Sequence, residues 1–150
     1  MKLKKAYLLL LVLFFSCKQK ESDNKQKIEI SKTSQLQELI QQVLSSEKLE
    51  SYLRLVHKDT TLKLYMVNDK SLGITNEIKL KKFNEDIKVV DLETIKKKNI
   101  TSYIRFEKLE IKEDSALVRL YYEAKGLGFE GEYNFINNVW VNIRSDTWQN

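Results

Sequence analysis

The chain holds one cysteine, Cys17, and one histidine, His57, in 150 residues. A thiol beside an imidazole is the minimum for cysteine-based nucleophilic catalysis, and both groups bind zinc. A structural zinc site takes four protein ligands and a catalytic one three. One thiol and one imidazole do not fill such a centre, so no metal or other cofactor is expected. His57 stands before Lys58 and Asp59, at the end of a helical apolar spacing. There an imidazole more often meets the last carbonyls of a helix than acts as a base.

The surroundings of Cys17 give it a different chemistry. Lys2, Lys4 and Lys5 precede an unbroken apolar run from Ala6 to Phe15. A membrane-spanning helix needs about 20 apolar residues, so this run has the proportions of a secretory signal. Phe14 is too bulky for the small-x-small site of an ordinary signal peptidase. The remaining pattern, Phe14-Phe15-Ser16-Cys17, resembles the lipobox of bacterial lipoprotein signals, with Phe14 where most members carry an aliphatic residue. The resemblance covers residues 1–17. It implies a signal peptide over 1–16 and acyl chains (palmitate) on Cys17. It places the chain in the cell envelope, anchored to a membrane by lipid, on the outer membrane facing the periplasm or the surface. Stable anchoring takes more than one acyl chain, and an acylated cysteine explains an unpaired thiol in an exported protein.

Loss of Lys2, Lys4 and Lys5 takes three charges from the formal +5 and leaves +2. A near-neutral domain lacks the clustered basic surface of nucleic-acid binding; the partners expected are the membrane and a protein or small ligand. Residues 18–27 (KQKESDNKQK) hold no apolar side chain and read as a solvated tether. The domains are therefore a signal over 1–16, a lipidated cysteine and flexible tether over 17–30, and one domain over 31–150, a length that suits one core.

Carboxylates are the other candidates for chemistry. Glu123, Glu130 and Glu132 flank a turn at Gly126 and would do acid–base work if one of them were buried beside another. Charges that blunt strands against edge association explain them more simply. Lys96-Lys97-Lys98 would meet an anionic surface, though such a run is usually a solvated face. The aromatic residues near the C-terminus carry more. Tyr121 and Tyr122 are adjacent, so on a strand they point to opposite faces and cannot share one core. Tyr and Trp are favoured at interfaces, which makes Tyr121, Tyr133, Trp140 and Trp148 the expected binding face.

These residues sit on elements that the apolar spacing defines. Leu36, Leu39, Ile40, Val43 and Leu44 form a helical stripe over 34–44, with Ser34 and Gln37 as a capping box. Leu49, Tyr52, Leu53 and Val56 form a second stripe out of phase with it, so Ser45-Ser46 is a break. Alternation from Thr61 predicts a strand through Val67. Short extended pieces follow around a turn at Asn84-Glu85-Asp86, then a short helix to Lys98. Four strands close the chain, with a bulge near Glu107-Lys108, a turn at Glu113-Asp114, another over Gly126-Leu127-Gly128, and a two-residue loop at Asn137-Asn138 that pairs Phe135 with Trp140.

The order of elements predicts an α+β fold, with N-terminal helices packed on a curved antiparallel sheet that ends in a four-strand meander. It resembles NTF2-like and cystatin-like folds and small lipoproteins with a terminal aromatic meander, in element order over 34–148. The expected function is a lipid-anchored envelope lipoprotein that binds a partner without catalysis. The rival expectations are a small enzyme with a carboxylate-lined, cone-shaped pocket and a structural or assembly lipoprotein.

Overall fold

The computed structural model describes residues 19–56 and 63–149. Cys17 and His57, the residues with the most distinctive chemistry, lie outside them. Internal contacts divide the chain into Met1–Ser34 and Gln35–Asn150.

Helix α1 (Gln19–Leu44) begins well before Ser34. Residues 19–30, expected as a flexible tether, are helical backbone, and Ser34 is an interior residue and not a cap. The stretch is rich in Lys, Glu and Gln, all good helix formers, and has neither glycine nor proline to stop it. The apolar stripe lies as its spacing requires, with Leu39, Ile40, Val43 and Leu44 fully buried. The chain breaks at Ser45-Ser46, and α2 (Glu47–Val56) buries Leu49 and Leu53.

Seven strands follow: β1 (Tyr65–Val67), β2 (Leu80–Lys82), β3 (Glu85–Val90), β4 (Tyr103–Lys112), β5 (Ser115–Tyr122), β6 (Leu127–Ile136) and β7 (Val139–Gln149). They form one sheet in the order β2-β3-β1-β4-β5-β6-β7. The fold class is α+β. The sheet is mixed, however, and not antiparallel throughout: β1 runs parallel to both β3 and β4. Parallel neighbours need a crossover: residues 68–84, which include β2, return the chain from β1 to β3, and residues 91–102, through helix α3 (Leu92–Lys97), carry it past β1 to β4. Asp91 caps α3, accepting from the Thr94 amide at 2.6 Å. Lys96 and Lys97 in the last turn are exposed and suit the helix dipole.

Two turns differ in detail from expectation. The β2–β3 loop is Phe83-Asn84, both at positive φ, with Lys82 opposite Glu85. Two residues at positive φ match the twist of a hairpin, which leaves Glu85 and Asp86 in the strand. Only Gly126 turns the chain into β6, at φ 60 after the short helix Glu123–Lys125, and Leu127 and Gly128 are already paired. The bulge between Phe106 and Lys108, the turn at Glu113 and the Asn137-Asn138 loop stand where the sequence puts them. The last loop sets Phe135 against Trp140, ring centres 5.0 Å apart.

One core joins these elements. It takes the stripes of α1 and α2, Met66 of β1, and alternate residues of β4 to β7.

Candidate ligand-binding groove

The pairing of β5, β6 and β7 assigns every residue to one of two sheet faces. Rows on the inner face read Ala116–Tyr133–Asn142, Val118–Gly131–Ser145 and Leu120–Phe129–Thr147. Rows on the outer face read Leu117–Glu132–Arg144, Arg119–Glu130–Asp146 and Tyr121–Gly128–Trp148. The inner rows feed the core. The outer rows wall a groove of about 510 Å³, lined by Arg119, Glu130, Glu132, Arg144, Asp146 and Trp148.

A single extra residue makes this division. Regular pairing runs from Ile136–Val139 to Tyr133–Asn142, then slips so that Glu132 meets Arg144 and Ile143 is left over. A one-residue slip exchanges the faces of all later side chains. Before the bulge, even-numbered residues of β7 point inward with Trp140; after it, Arg144, Asp146 and Trp148 point outward.

Of the four residues expected to form a binding face, the structure separates two from two. Trp140 is 3 % exposed, and its indole N–H donates to the Gln35 carbonyl at 3.1 Å. Tyr133 is 1 % exposed. Both are core residues, because they stand on the inner rows. Burial pushes the Tyr133 hydroxyl well above its ordinary pKa; the Ser46 hydroxyl and the Asn142 amide lie near it, without hydrogen-bond geometry. Tyr121 is half-buried on the outer face, and Trp148, at 36 % exposure, is the aromatic member of the groove.

Trp148 lies directly over Gly128. A Cβ there would stand 2.0 Å from the Trp148 Cε2, so only glycine admits this seat. The Arg119 guanidinium lies 5.9 Å from the indole centre, a cation–π contact, and donates through Nε to Glu130 at 2.8 Å. Asp146 accepts from the Thr147 amide at 2.9 Å and pairs with Lys48 at 3.6 Å. Arg144 and Glu132 stand opposite each other, yet neither has an ion-pair partner among the described residues. The groove thus presents an apolar ring together with a guanidinium and a carboxylate that form no ion pair among the described residues.

Of the carboxylates expected to converge near Gly126, Glu130 and Glu132 line the groove together with Asp146, Glu123 does not, and none is buried beside another. Glu123 pairs with Arg105 at 3.3 Å, Glu130 is tied to Arg119, and Glu132 is open to solvent. Among the described residues no group of His, Cys, Asp or Glu could hold a metal ion, and no helix is long and apolar enough to cross a membrane.

Sequence reasoning missed Arg119, Glu130, Glu132, Arg144 and Asp146 as a group. A signal for them existed. Arg144 and Asp146 share the even numbering of Trp140, and two charges cannot follow a tryptophan into a core without partners. The strand therefore had to reverse its faces between Trp140 and Arg144. No protein-family model, curated protein or solved structure matches the chain.

Proposed function

We propose that the chain is a lipoprotein of the bacterial cell envelope, exported by its N-terminal signal and held to a membrane, the outer membrane by preference, through acylated Cys17. In this reading the domain is a binding module and not an enzyme. The helices α1 and α2 lie on one face of a curved sheet, and β4 to β7 form a meander whose other face meets the ligand or protein partner.

The observation that carries the binding reading is the seat of Trp148. Ligand sites combine apolar surface with a few placed polar groups, and here an indole over Gly128 shares one groove with Arg144 and Glu132, which form no ion pair among the described residues. The anchor reading rests on residues 2–17, which combine a basic start, a short apolar run and a lone cysteine.

Two experiments test the two halves. A photo-crosslinking side chain at Glu132 should give a discrete adduct in intact cells, while one at exposed Lys97 on α3 should not. Identical patterns from both sites would overturn the groove as a binding site. Metabolic labelling with palmitate should be lost in Cys17→Ser, and labelling that persists in that variant would overturn the anchor.

A further inference from the structure

The sheet has two edges, and the protein treats them differently. At β2 the edge is three residues long, carries Lys81, and turns Lys82 inward. Glutamines of α1 close its backbone. Gln41 accepts from the Lys81 amide and donates to the Lys81 carbonyl, both at 3.0 Å, and Gln37 accepts from the Lys79 amide at 3.1 Å. Short length, charge and cover are the devices that keep an edge strand from pairing with another chain.

At β7 the edge is eleven residues long. Its C-terminal half is guarded, because Lys48 donates to the Ser145 carbonyl and pairs with Asp146. The half from Val139 to Ile143 carries no charge, and Val139, Val141 and Ile143 are exposed by 45 %, 39 % and 55 %. The two-residue loop makes Ile136–Val139 a hydrogen-bonded pair. Alternation along an antiparallel ladder then aims the amides and carbonyls of Trp140 and Asn142 away from β6. None of these backbone groups meets a partner among the described residues.

We infer that this stretch of β7 pairs antiparallel with the same stretch of a second copy, about a two-fold axis through Val141. The open segment is bounded by the Asn138 loop on one side and by Lys48 over Ser145 on the other, which centres it on Val141. A two-fold contact brings a surface against itself, and this segment is self-complementary. Val141 meets Val141 of the second copy, and Val139 meets Ile143. Trp140 meets Asn142, so the outward amides and carbonyls of both chains face each other. No like charges meet: Arg144 falls opposite the Asn138 loop, where the β7 of the second copy ends, and Asp146 lies beyond the paired stretch. A register centred on Ser145 would match Arg144 with Asp146, but Lys48 occupies that carbonyl. A foreign strand would find the same backbone groups; only a second copy is sure to bring an uncharged aliphatic stretch of equal length.

Disulfide trapping in intact cells tests the contact and its register, with the wild-type chain, whose Cys17 is its only cysteine, as the blank. At a non-hydrogen-bonded position the paired Cα atoms are about 4.5 Å apart, within disulfide reach. Val141→Cys should therefore give a disulfide-linked dimer as the major species after mild oxidation. Ile143→Cys should remain monomeric, because four residues of offset put its symmetry mate about 13 Å away. The double variant Val139→Cys/Ile143→Cys should again crosslink, and serves as the test if Val141→Cys fails to accumulate. Equal crosslinking of Val141→Cys and Ile143→Cys, or none in Val141→Cys and in the double variant, would overturn the pairing. The result is independent of the groove, since the Glu132 crosslink reads the outer face and not the edge.

Discussion

Two glycines three residues apart on β6 each lie under an aromatic ring, and they do so on opposite faces of the sheet. A Cβ on Gly131 would meet the Tyr133 ring at 2.7 Å and the Phe129 ring at 3.1 Å, inside the core. A Cβ on Gly128 would meet Trp148 at 2.0 Å, in the groove. The inner rings are held on all sides and have nowhere to go. Trp148 is reached from one side by solvent, and its ring is the far end of a side chain that can swing. The shorter contact is therefore the cheaper one to violate. What separates the faces is how many neighbours must move.

The largest effect should come from removing the residue that closes the inner face. Trp140→Ala empties a site fixed by the Phe135 ring and the Gln35 carbonyl. Large-to-small changes of this kind cost about 3–5 kcal/mol, read as a lower urea midpoint with an unchanged slope. Photo-crosslinking from Glu132 should survive in whatever fraction remains folded. A loss well under 1 kcal/mol would mean that Trp140 is not a core residue and that the two faces are less distinct than the register makes them.

The same contrast holds for charge. Lys82 is buried and donates to the Leu44 carbonyl at 2.7 Å and to Glu50 at 2.8 Å, and Arg54 also holds Glu50. Hydrogen bonds from Lys82 and then Arg54 keep the Glu50 carboxyl below its ordinary pKa of 4.5. A depressed carboxylate stabilises the fold above its unfolded value, and that contribution is lost as pH falls through the folded one. Stability should therefore decline below about pH 4.5, and Glu50→Gln should flatten that decline. Near neutral pH, Glu50→Gln leaves a buried ammonium without its anion. Glu50 is itself partly exposed, so the cost should be about 2 kcal/mol, under the usual range for a fully buried pair. The outer pair Arg119–Glu130 is 47 % and 35 % exposed, and Arg119→Ala should cost under about 1 kcal/mol. Similar losses in the two variants, measured by urea titration, would erase the distinction.

Much of the inner face was legible in the sequence, and the outer face was not. Leu36, Leu39, Ile40, Val43 and Leu44 announce a helix because burial imposes a period of 3.6. Ala116, Val118, Leu120 and Tyr122 announce a strand because burial imposes a period of two. Asn137-Asn138 fixes a register because few residues accept positive φ at both positions. The parallel placement of β1 was hidden, since three residues carry no mark of direction and their partners lie far along the chain. The groove was hidden for another reason. Solvent-facing charges obey no period, and the bulge that turns Arg144, Asp146 and Trp148 outward shows in sequence only as charges on the parity of Trp140.

Gly131→Ala tests the inner half of the glycine comparison. The methyl group must push apart the rings of Phe129 and Tyr133, which are 0 % and 1 % exposed. Overpacking of this kind costs about 1–3 kcal/mol; the rings touch the new methyl with their edges, so a loss of about 1–2 kcal/mol in thermal unfolding is expected. No loss would mean that the aromatic rows can spread, and that the core is looser than its burial implies.

Gly128→Ala should have the smallest effect on stability and the most specific one on the groove. The new Cβ evicts the indole of Trp148, a side chain that already has one face in solvent, so the loss of stability should stay under about 1 kcal/mol. The indole also leaves the Arg119 guanidinium. Trp148 should then become more accessible to acrylamide, while Trp140 keeps its protected emission. If the groove is the binding face, the adduct formed from Glu132 should fall as far as it does in Trp148→Ala, although no charged group of the groove has been touched. An adduct that survives the eviction would show that the indole is not part of the contact, and would leave Arg144 and Glu132 to carry recognition by charge alone.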